Sequence, residues 1–160
     1  MMQLPIPEIE LSRFLVEAKN ATYASGTDQY SVPAALPASH QLEYQQGDLS
    51  YKDIYFGGLA FIGVETVYFS GKPIWGMSYY GTVLPGSGET QLAGMPPFLK
   101  AALRELPREA PYRGPESFQQ GDYRYANEIH GQFSQFHGTE IIYHKEQAIY
   151  QLHYSGGVIR

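Results

Sequence analysis

Two stretches of the chain carry apolar residues at helical spacing. Leu11, Phe14, Leu15 and Ala18 fall at i, i+3, i+4 and i+7, one face of a helix. Phe98, Leu99, Ala102, Leu103 and Leu106 do the same, with Pro96 and Pro97 suited to the first turn and Pro107 as the stop. Six further stretches read as strands, rich in Tyr, Ile and Val and bounded by turn residues: 49–56, 64–70, 73–81, 123–129, 139–144 and 148–155. Residues 25–43 and 82–94 read as loops, the second centred on Pro85-Gly86-Ser87-Gly88. The predicted order is α-β-β-β-α-β-β-β.

That order is one unit written twice. Gln45-Gln46-Gly47-Asp48 recurs word for word as Gln119-Gln120-Gly121-Asp122, and Tyr51 matches Tyr125 at the same offset. After one inserted residue, Gly63 matches Gly138, Glu65 matches Glu140, Tyr68 matches Tyr143, Tyr79 matches Tyr154 and Gly81 matches Gly156. Trp75 aligns with Tyr150. The expectation is one α+β domain over residues 1–160, with internal halves 5–84 and 95–160. Duplicated α-β-β-β units would form a curved antiparallel sheet or half-barrel carrying two helices. Neither half encloses enough apolar surface to stand alone.

Composition narrows the chemistry. The net charge is −5 and no basic stripe exists to neutralise phosphates, so direct nucleic-acid binding and an anionic membrane surface are both disfavoured. The absence of cysteine removes disulfides, thiolate metal ligands and cysteine nucleophiles. The start, MMQLPIPEIE, has acids and prolines where a signal peptide needs a basic end and an apolar core, so a cytoplasmic address is expected. Aromatics make up 14% of the chain and 14 of them are Tyr, a bias toward strands and half-wet clefts over a dry leucine core.

Several words in the chain are specific. Gln46-Gly47-Asp48-Leu49-Ser50-Tyr51-Lys52-Asp53, Tyr55-Phe56-Gly57-Gly58, Gly71-Lys72-Pro73-Ile74-Trp75 with Met77 and Tyr79-Tyr80-Gly81, and Pro111-Tyr112-Arg113-Gly114-Pro115 together resemble an uncharacterised bacterial family of unknown function. The resemblance runs over nearly the whole chain. It implies a domain found alone or attached to helix-turn-helix regulators, and it brings no catalytic residues with it. This chain holds no helix-turn-helix module, so a regulatory role would need a partner protein.

Placing the hairpin turns at 71–72 and 146–147 sets Glu65 opposite Ser78, Glu140 opposite His153, Tyr68 opposite Trp75 and Tyr143 opposite Tyr150. Alternation then puts Tyr68, Trp75 and Tyr79 on one face with Tyr143 and Tyr150, and Glu65 and Glu140 on the other. Glu65 and Glu140 are the sharpest candidates, acids at matching places in otherwise apolar strands. Two carboxylates near a pseudo-twofold axis could anchor a cationic or hydroxylated ligand, or serve acid–base chemistry. Their other reading is a hydrogen bond to a turn or a place in solvent. Arg113 is the best-placed cation for an anionic ligand, or else bonds loop carbonyls. Asp48 and Asp122 read as turn caps, and Gly57-Gly58 beside Asp53 as a bulge or a place of close backbone approach. A Glu140, His144 and His153 set could ligate a metal, but the spacing matches no strong zinc motif, so no metal and no cofactor is assigned.

The leading expectation is a small-molecule-binding or sensing domain without catalysis, with a site drawn from Glu65, Glu140, Tyr68, Trp75, Tyr79, Tyr143, Tyr150 and Arg113. The alternatives are a small enzyme using the paired carboxylates or a Glu–His pair, and a protein-interaction module with a Tyr-rich surface. Homodimer formation stays open.

Overall fold

The computed structural model describes residues 4–25 and 27–160. Helix α1 spans Glu8–Ala21 and buries Leu11, Phe14, Leu15 and Ala18, the face that the spacing predicts. Glu8 and Glu10 lie in its first turn, where the helix dipole favours acids. Strands β1 (Ser31–Val32), β2 (His40–Gln46), β3 (Leu49–Gly57), β4 (Ala60–Phe69) and β5 (Lys72–Val83) follow. Next come a short helix α2 (Glu89–Ala93) and helix α3 (Met95–Arg104), with Pro96 and Pro97 in the first turn of α3. Helix α3 stops before Leu106, since Pro107 disfavours helical backbone at the residue before it. Strands β6 (Ser117–Gln120), β7 (Tyr123–Gln132), β8 (Gln135–His144) and β9 (Gln147–Val158) complete the chain.

The strands form one open antiparallel sheet in the order β1-β2-β3-β4-β5-β9-β8-β7-β6. Its middle seam is the β5–β9 pair, where Tyr79 lies opposite Tyr154. Helix α1 packs on β2 and β3, and α3 packs on β6 and β7. Both helices bury their apolar faces in one continuous core with the inner face of the sheet. The architecture is therefore α+β.

Three expectations are corrected. Residues 25–43 are not all loop: they contain β1 and most of β2. Strand β2 carries only a short apolar alternation, Leu42 and Tyr44 among Gln41, Glu43 and Gln45. Its register comes from the Gly47-Asp48 turn, which pairs Gln46 with Leu49. Residues 82–94 likewise contain α2, opened by a Gly88 N–H bond to Gln91 Oε1 at 2.7 Å.

The third correction concerns register. The β4–β5 turn is Ser70-Gly71, both with positive φ (48° and 79°), and the β8–β9 turn is Lys145-Glu146. A two-residue hairpin with positive φ at both central positions takes Gly readily at the second, so the turn lies one place earlier than 71–72. A bulge follows in each hairpin, at Val67/Tyr68 and at Ile142/Tyr143. Glu65 is consequently opposite Met77, Glu140 opposite Leu152, Val67 opposite Trp75 and Ile142 opposite Tyr150. The earlier turn alone moves the register by two and keeps the faces; the bulge adds the single-residue slip, and because side chains alternate with a period of two, that slip exchanges the faces of the paired strands. Glu65 and Glu140 share the buried face with Trp75, Met77, Tyr79, Tyr150 and Tyr154.

Candidate functional site

Among the described residues, the buried charged side chains are Lys19, Asp53, Glu65, Arg113 and Glu140. All belong to one polar layer between the helices and the sheet. Alternation explains how each strand contributes. In β3 the inward set is Leu49, Tyr51 and Asp53; in β4 it is Glu65 and Val67; in β8 it is Glu140 and Ile142. Lys19 lies one helical turn beyond Leu15 on the inward face of α1.

Glu140 is fully satisfied. Arg113 grips it bidentately, Nε donating to Oε2 at 3.0 Å and Nη2 to Oε1 at 2.7 Å. The Tyr125 hydroxyl donates to Oε2 at 2.6 Å and the Tyr150 hydroxyl to Oε1 at 2.9 Å. Burial opposes the Arg113 charge, but Glu140, Tyr23 and Tyr150 outweigh it and hold the guanidinium pKa well above its ordinary value. The same guanidinium lies over the rings of Tyr23 and Tyr79, at 5.7 and 5.8 Å from their centroids. Its segment is fixed by Gly114, whose N–H donates to the Tyr125 hydroxyl at 3.0 Å and whose carbonyl accepts from Asn127 Nδ2. A Cβ at Gly114 would come within 2.7 Å of that hydroxyl, which accounts for the glycine after Arg113.

Glu65 is paired differently. Lys19 Nζ lies 2.7 Å from Oε2 as an ion pair, yet neither carboxylate oxygen receives a well-formed hydrogen bond. Lys19 also donates to the Tyr112 carbonyl and lies over the Trp75 ring. Desolvation lowers the Lys19 pKa, against the pull of Glu65.

Among the described residues Asp53 forms no ion pair of its own. It is 3% exposed and lies directly across the β3–β4 pair from Glu65. Oδ1 accepts the Tyr79 hydroxyl at 2.7 Å; Oδ2 makes no hydrogen bond among the described residues. Burial first, and then the charge of Glu65, push its carboxyl up to about 7, against the Tyr79 bond and the charges of Lys19 and Arg113. Burial likewise raises the Tyr79 hydroxyl well above its usual range.

Asp53 and Arg113 form the polar floor of a cleft of about 360 Å³ that opens beside α3. Its walls are the rings of Tyr23, Tyr55, Phe61 and Tyr79, with Pro96, Leu99 and Leu103 opposite and Lys100 at an exposed position on α3. Among the described residues the buried Tyr23 hydroxyl finds no hydrogen-bond partner. Gly57 and Gly58 edge the cleft as well. They end β3 and form the hairpin into β4, Gly58 N–H donating to the Ala60 carbonyl at 3.1 Å, so they make a turn and not a mid-strand bulge.

Of the residues singled out in the sequence, Glu65, Glu140, Trp75, Tyr79, Tyr150 and Arg113 come together in the buried layer, and Tyr79 and Arg113 reach the cleft. Tyr68 and Tyr143 do not join them. They lie on the opposite face, under Lys52 and Arg124 respectively, for the register reason given above. Glu140 and His153 also fall on opposite faces, His153 contacting Thr139, so the Glu140, His144 and His153 set is split. No group of three metal-ligating side chains gathers among the described residues. Asp53, Tyr23 and Tyr55 were not foreseen as site residues. The signal was present for Asp53, an acid in the period-two series Leu49, Tyr51, Asp53, Tyr55.

The sheet's other face carries a second, shallower hollow of about 410 Å³ with Ile62, Val64, Tyr80, Thr139 and His153 along it. Ile62 and Val64 are half exposed there, at 54% and 50%.

An open antiparallel sheet with helices on one face, and a buried ionic layer that surfaces in an aromatic cleft beside α3, define an α+β protein with a cavity of mixed polar and apolar character on its helical side. Residues 53–159 match the family described as a domain of unknown function, DUF5680, and the chain belongs to that family. The match starts at Asp53, so α1 and the first two strands precede it. No curated protein and no solved structure matches the chain. Among the described residues no helix is long and apolar enough to cross a membrane.

Proposed function

We propose that the protein binds a small molecule in the cleft beside α3, with Asp53 as the polar group presented to it. The observation that carries this reading is a buried carboxylate with one oxygen unbonded at the floor of an aromatic-walled cavity. Ligand sites combine mostly apolar walls with a few placed polar groups, and about 360 Å³ suits a compact ligand. Glu65 and Glu140 act at one remove. Each is spent on a buried cation, and Glu140 serves to hold Arg113 against the cleft. Sensing on behalf of a partner protein in a bacterial cytoplasm is the setting in which such binding would matter.

The two halves of the sheet also support descent from one duplicated unit. Both contain a Gly-Asp hairpin turn, a bulge at the corresponding place in the following hairpin, and a Tyr ring laid over a glycine (Tyr79 on Gly63, Tyr154 on Gly138). Under this reading the halves have since diverged at the inner polar positions. Asp53 and Glu65 line one half, and Asn127 and Glu140 the other.

A second reading, acid–base catalysis in the same cleft, is favoured by the Asp53 carboxyl titrating near 7 beside the Tyr79 hydroxyl. One experiment separates the possibilities. A thermal-shift screen against amines, nucleotides and aromatic metabolites is run on the wild type and on Leu99→Trp, which fills the cleft. A ligand at a hundred times its Kd adds about 2.7 kcal/mol of stability. Hits that Leu99→Trp abolishes support cleft binding. Hits indifferent to it place binding elsewhere, and conversion of a hit to product moves the conclusion to the enzyme.

A further inference from the structure

The buried charges do not cancel. Among the described residues three carboxylates, Asp53, Glu65 and Glu140, face two cations, Lys19 and Arg113. Lys19 is committed to Glu65 and Arg113 to Glu140. Moving a proton within either pair leaves the sum unchanged. The surplus negative charge therefore belongs to Asp53, the one carboxylate of the three that lines the cleft. Burying an uncompensated charge is costly, and such a group either takes up a proton or acquires a counter-ion. The walls suit the second course, since ring faces attract cations when water is excluded.

We infer that the cleft takes a monocation, an amine or quaternary ammonium on a compact apolar body, with Asp53 as its counter-ion and the rings of Tyr23, Tyr55, Phe61 and Tyr79 around it. This rests on the cleft-binding reading and makes it specific. Arg113 does not oppose such a ligand as a free cation would, because Glu140 neutralises it at two points and two tyrosine rings cover it. Lys100 is exposed, where salt and water screen it. A ligand cation also does what the proton does for Asp53. The groups facing Asp53 are Glu65 from β4, Tyr79 from β5, Lys19 and Tyr23 from α1 and the segment after it, Arg113 from the segment after α3, and Tyr51 and Tyr55 on its own strand. With the Asp53 carboxyl up at about 7, cation binding at pH 6.5 should expel a proton that is not expelled at pH 8.5.

The test is a matched series of one body with three charges: benzylamine, benzyl alcohol and benzoate. Binding to the intact protein is measured by calorimetry at pH 6.5 and 8.5, in two buffers of different ionisation heat. The expected result is benzylamine bound about tenfold tighter than benzyl alcohol, a desolvated cation–π or ionic contribution of ordinary size. Benzoate should be weakest, and proton release with benzylamine should appear at pH 6.5 only. In Asp53→Asn the amine's advantage over the alcohol should disappear while the alcohol still binds. Equal binding of amine and alcohol by the wild type, or benzoate as the best of the three, overturns the inference and leaves cleft binding standing. No binding by any of the three overturns both. The wild-type ranking decides the matter even if Asp53→Asn does not fold.

Discussion

Asp53 and Glu140 are both buried carboxylates within hydrogen-bonding distance of a tyrosine hydroxyl, yet they stand in opposite electrostatic positions. Glu140 accepts four hydrogen bonds, two from a guanidinium, so its desolvation is offset contact by contact. Asp53 accepts one and faces another acid across the strand pair. Its charge therefore works against the fold. The sign follows from linkage: the folded protein holds the Asp53 proton up to about 7, whereas the ordinary value is 3.8. Between those values the folded state binds more protons than the unfolded state, so stability falls as pH rises through the window and levels off above about 7. A shift of that size corresponds to about 4 kcal/mol. Asp53→Asn should escape the penalty. It should match the wild type near pH 4 and exceed it progressively up to pH 7, by about 10 °C in Tm for a chain of this size. Melting curves by circular dichroism at half-unit pH intervals check this. A constant difference between variant and wild type across the range would show that Asp53 carries no such burden.

The glycines matched between the halves have a structural reason at the level of the hairpin. A Cβ on Gly63 would lie 2.3 Å from the Tyr79 hydroxyl oxygen, and one on Gly138 would lie 2.3 Å from the end of the Tyr154 ring and 2.7 Å from the Glu128 carbonyl oxygen. Each glycine is the floor on which the tyrosine of the next strand lies, and that places Tyr79 to bond Asp53 and Tyr154 to bond Asn127. Each substitution must move a ring and also an atom fixed to the neighbouring strand, Tyr55 Cβ at 2.7 Å for Gly63 and the Glu128 carbonyl oxygen for Gly138, so Gly63→Ala and Gly138→Ala should each cost about 1–3 kcal/mol. Urea unfolding of the two variants tests this; an unchanged midpoint in either would show that the tyrosine ring does not need the glycine beneath it.

The hairpins also show why some of the architecture was legible in the chain and some was not. Strands β3 to β5 and β7 to β9 announce themselves because one side of each alternates toward a common core. Strand β2 is quieter, because only Leu42 and Tyr44 mark its inner face, opposite Asp53 and Tyr51, while its outer face carries polar Gln41, Glu43 and Gln45, with Gln41 bonded through Oε1 to the Ala35 N–H. The buried layer was half legible. Glu65 and Glu140 stood out as acids in apolar strands, but the bulge in each hairpin, which no residue pattern announces, moves them onto the face of Trp75, Tyr79 and Tyr150. Their partners had quieter signals: Lys19 extends the apolar face of α1 by one turn, and Arg113 precedes a glycine that only the Tyr125 hydroxyl explains. The inward place of Asp53 was legible in its period-two series; that both nearby cations are committed to Glu65 and Glu140 emerges only from the tertiary structure.

At the scale of the molecule, the two halves of the sheet meet at β5–β9 and share one core, so they are expected to unfold together. Trp75 makes this testable. It is the single tryptophan in the chain, fully buried at the start of β5 in the first half. Its ring stacks on Phe136 of β8 at 5.7 Å and lies 6.2 Å from Phe133, both in the second half. Lys19 of α1 covers it and simultaneously pairs with Glu65. Any opening of one half against the other must change the surroundings of this indole. Far-ultraviolet circular dichroism reports the strands and helices of both halves together. A molecule whose halves lean on each other through Trp75 should lose both signals in one transition, with coincident midpoints and equal urea dependence. Two midpoints would mean that one half keeps its hairpins after the seam has opened. The earlier of the two would then be the indole signal, because Trp75 belongs to the seam and not to either half alone.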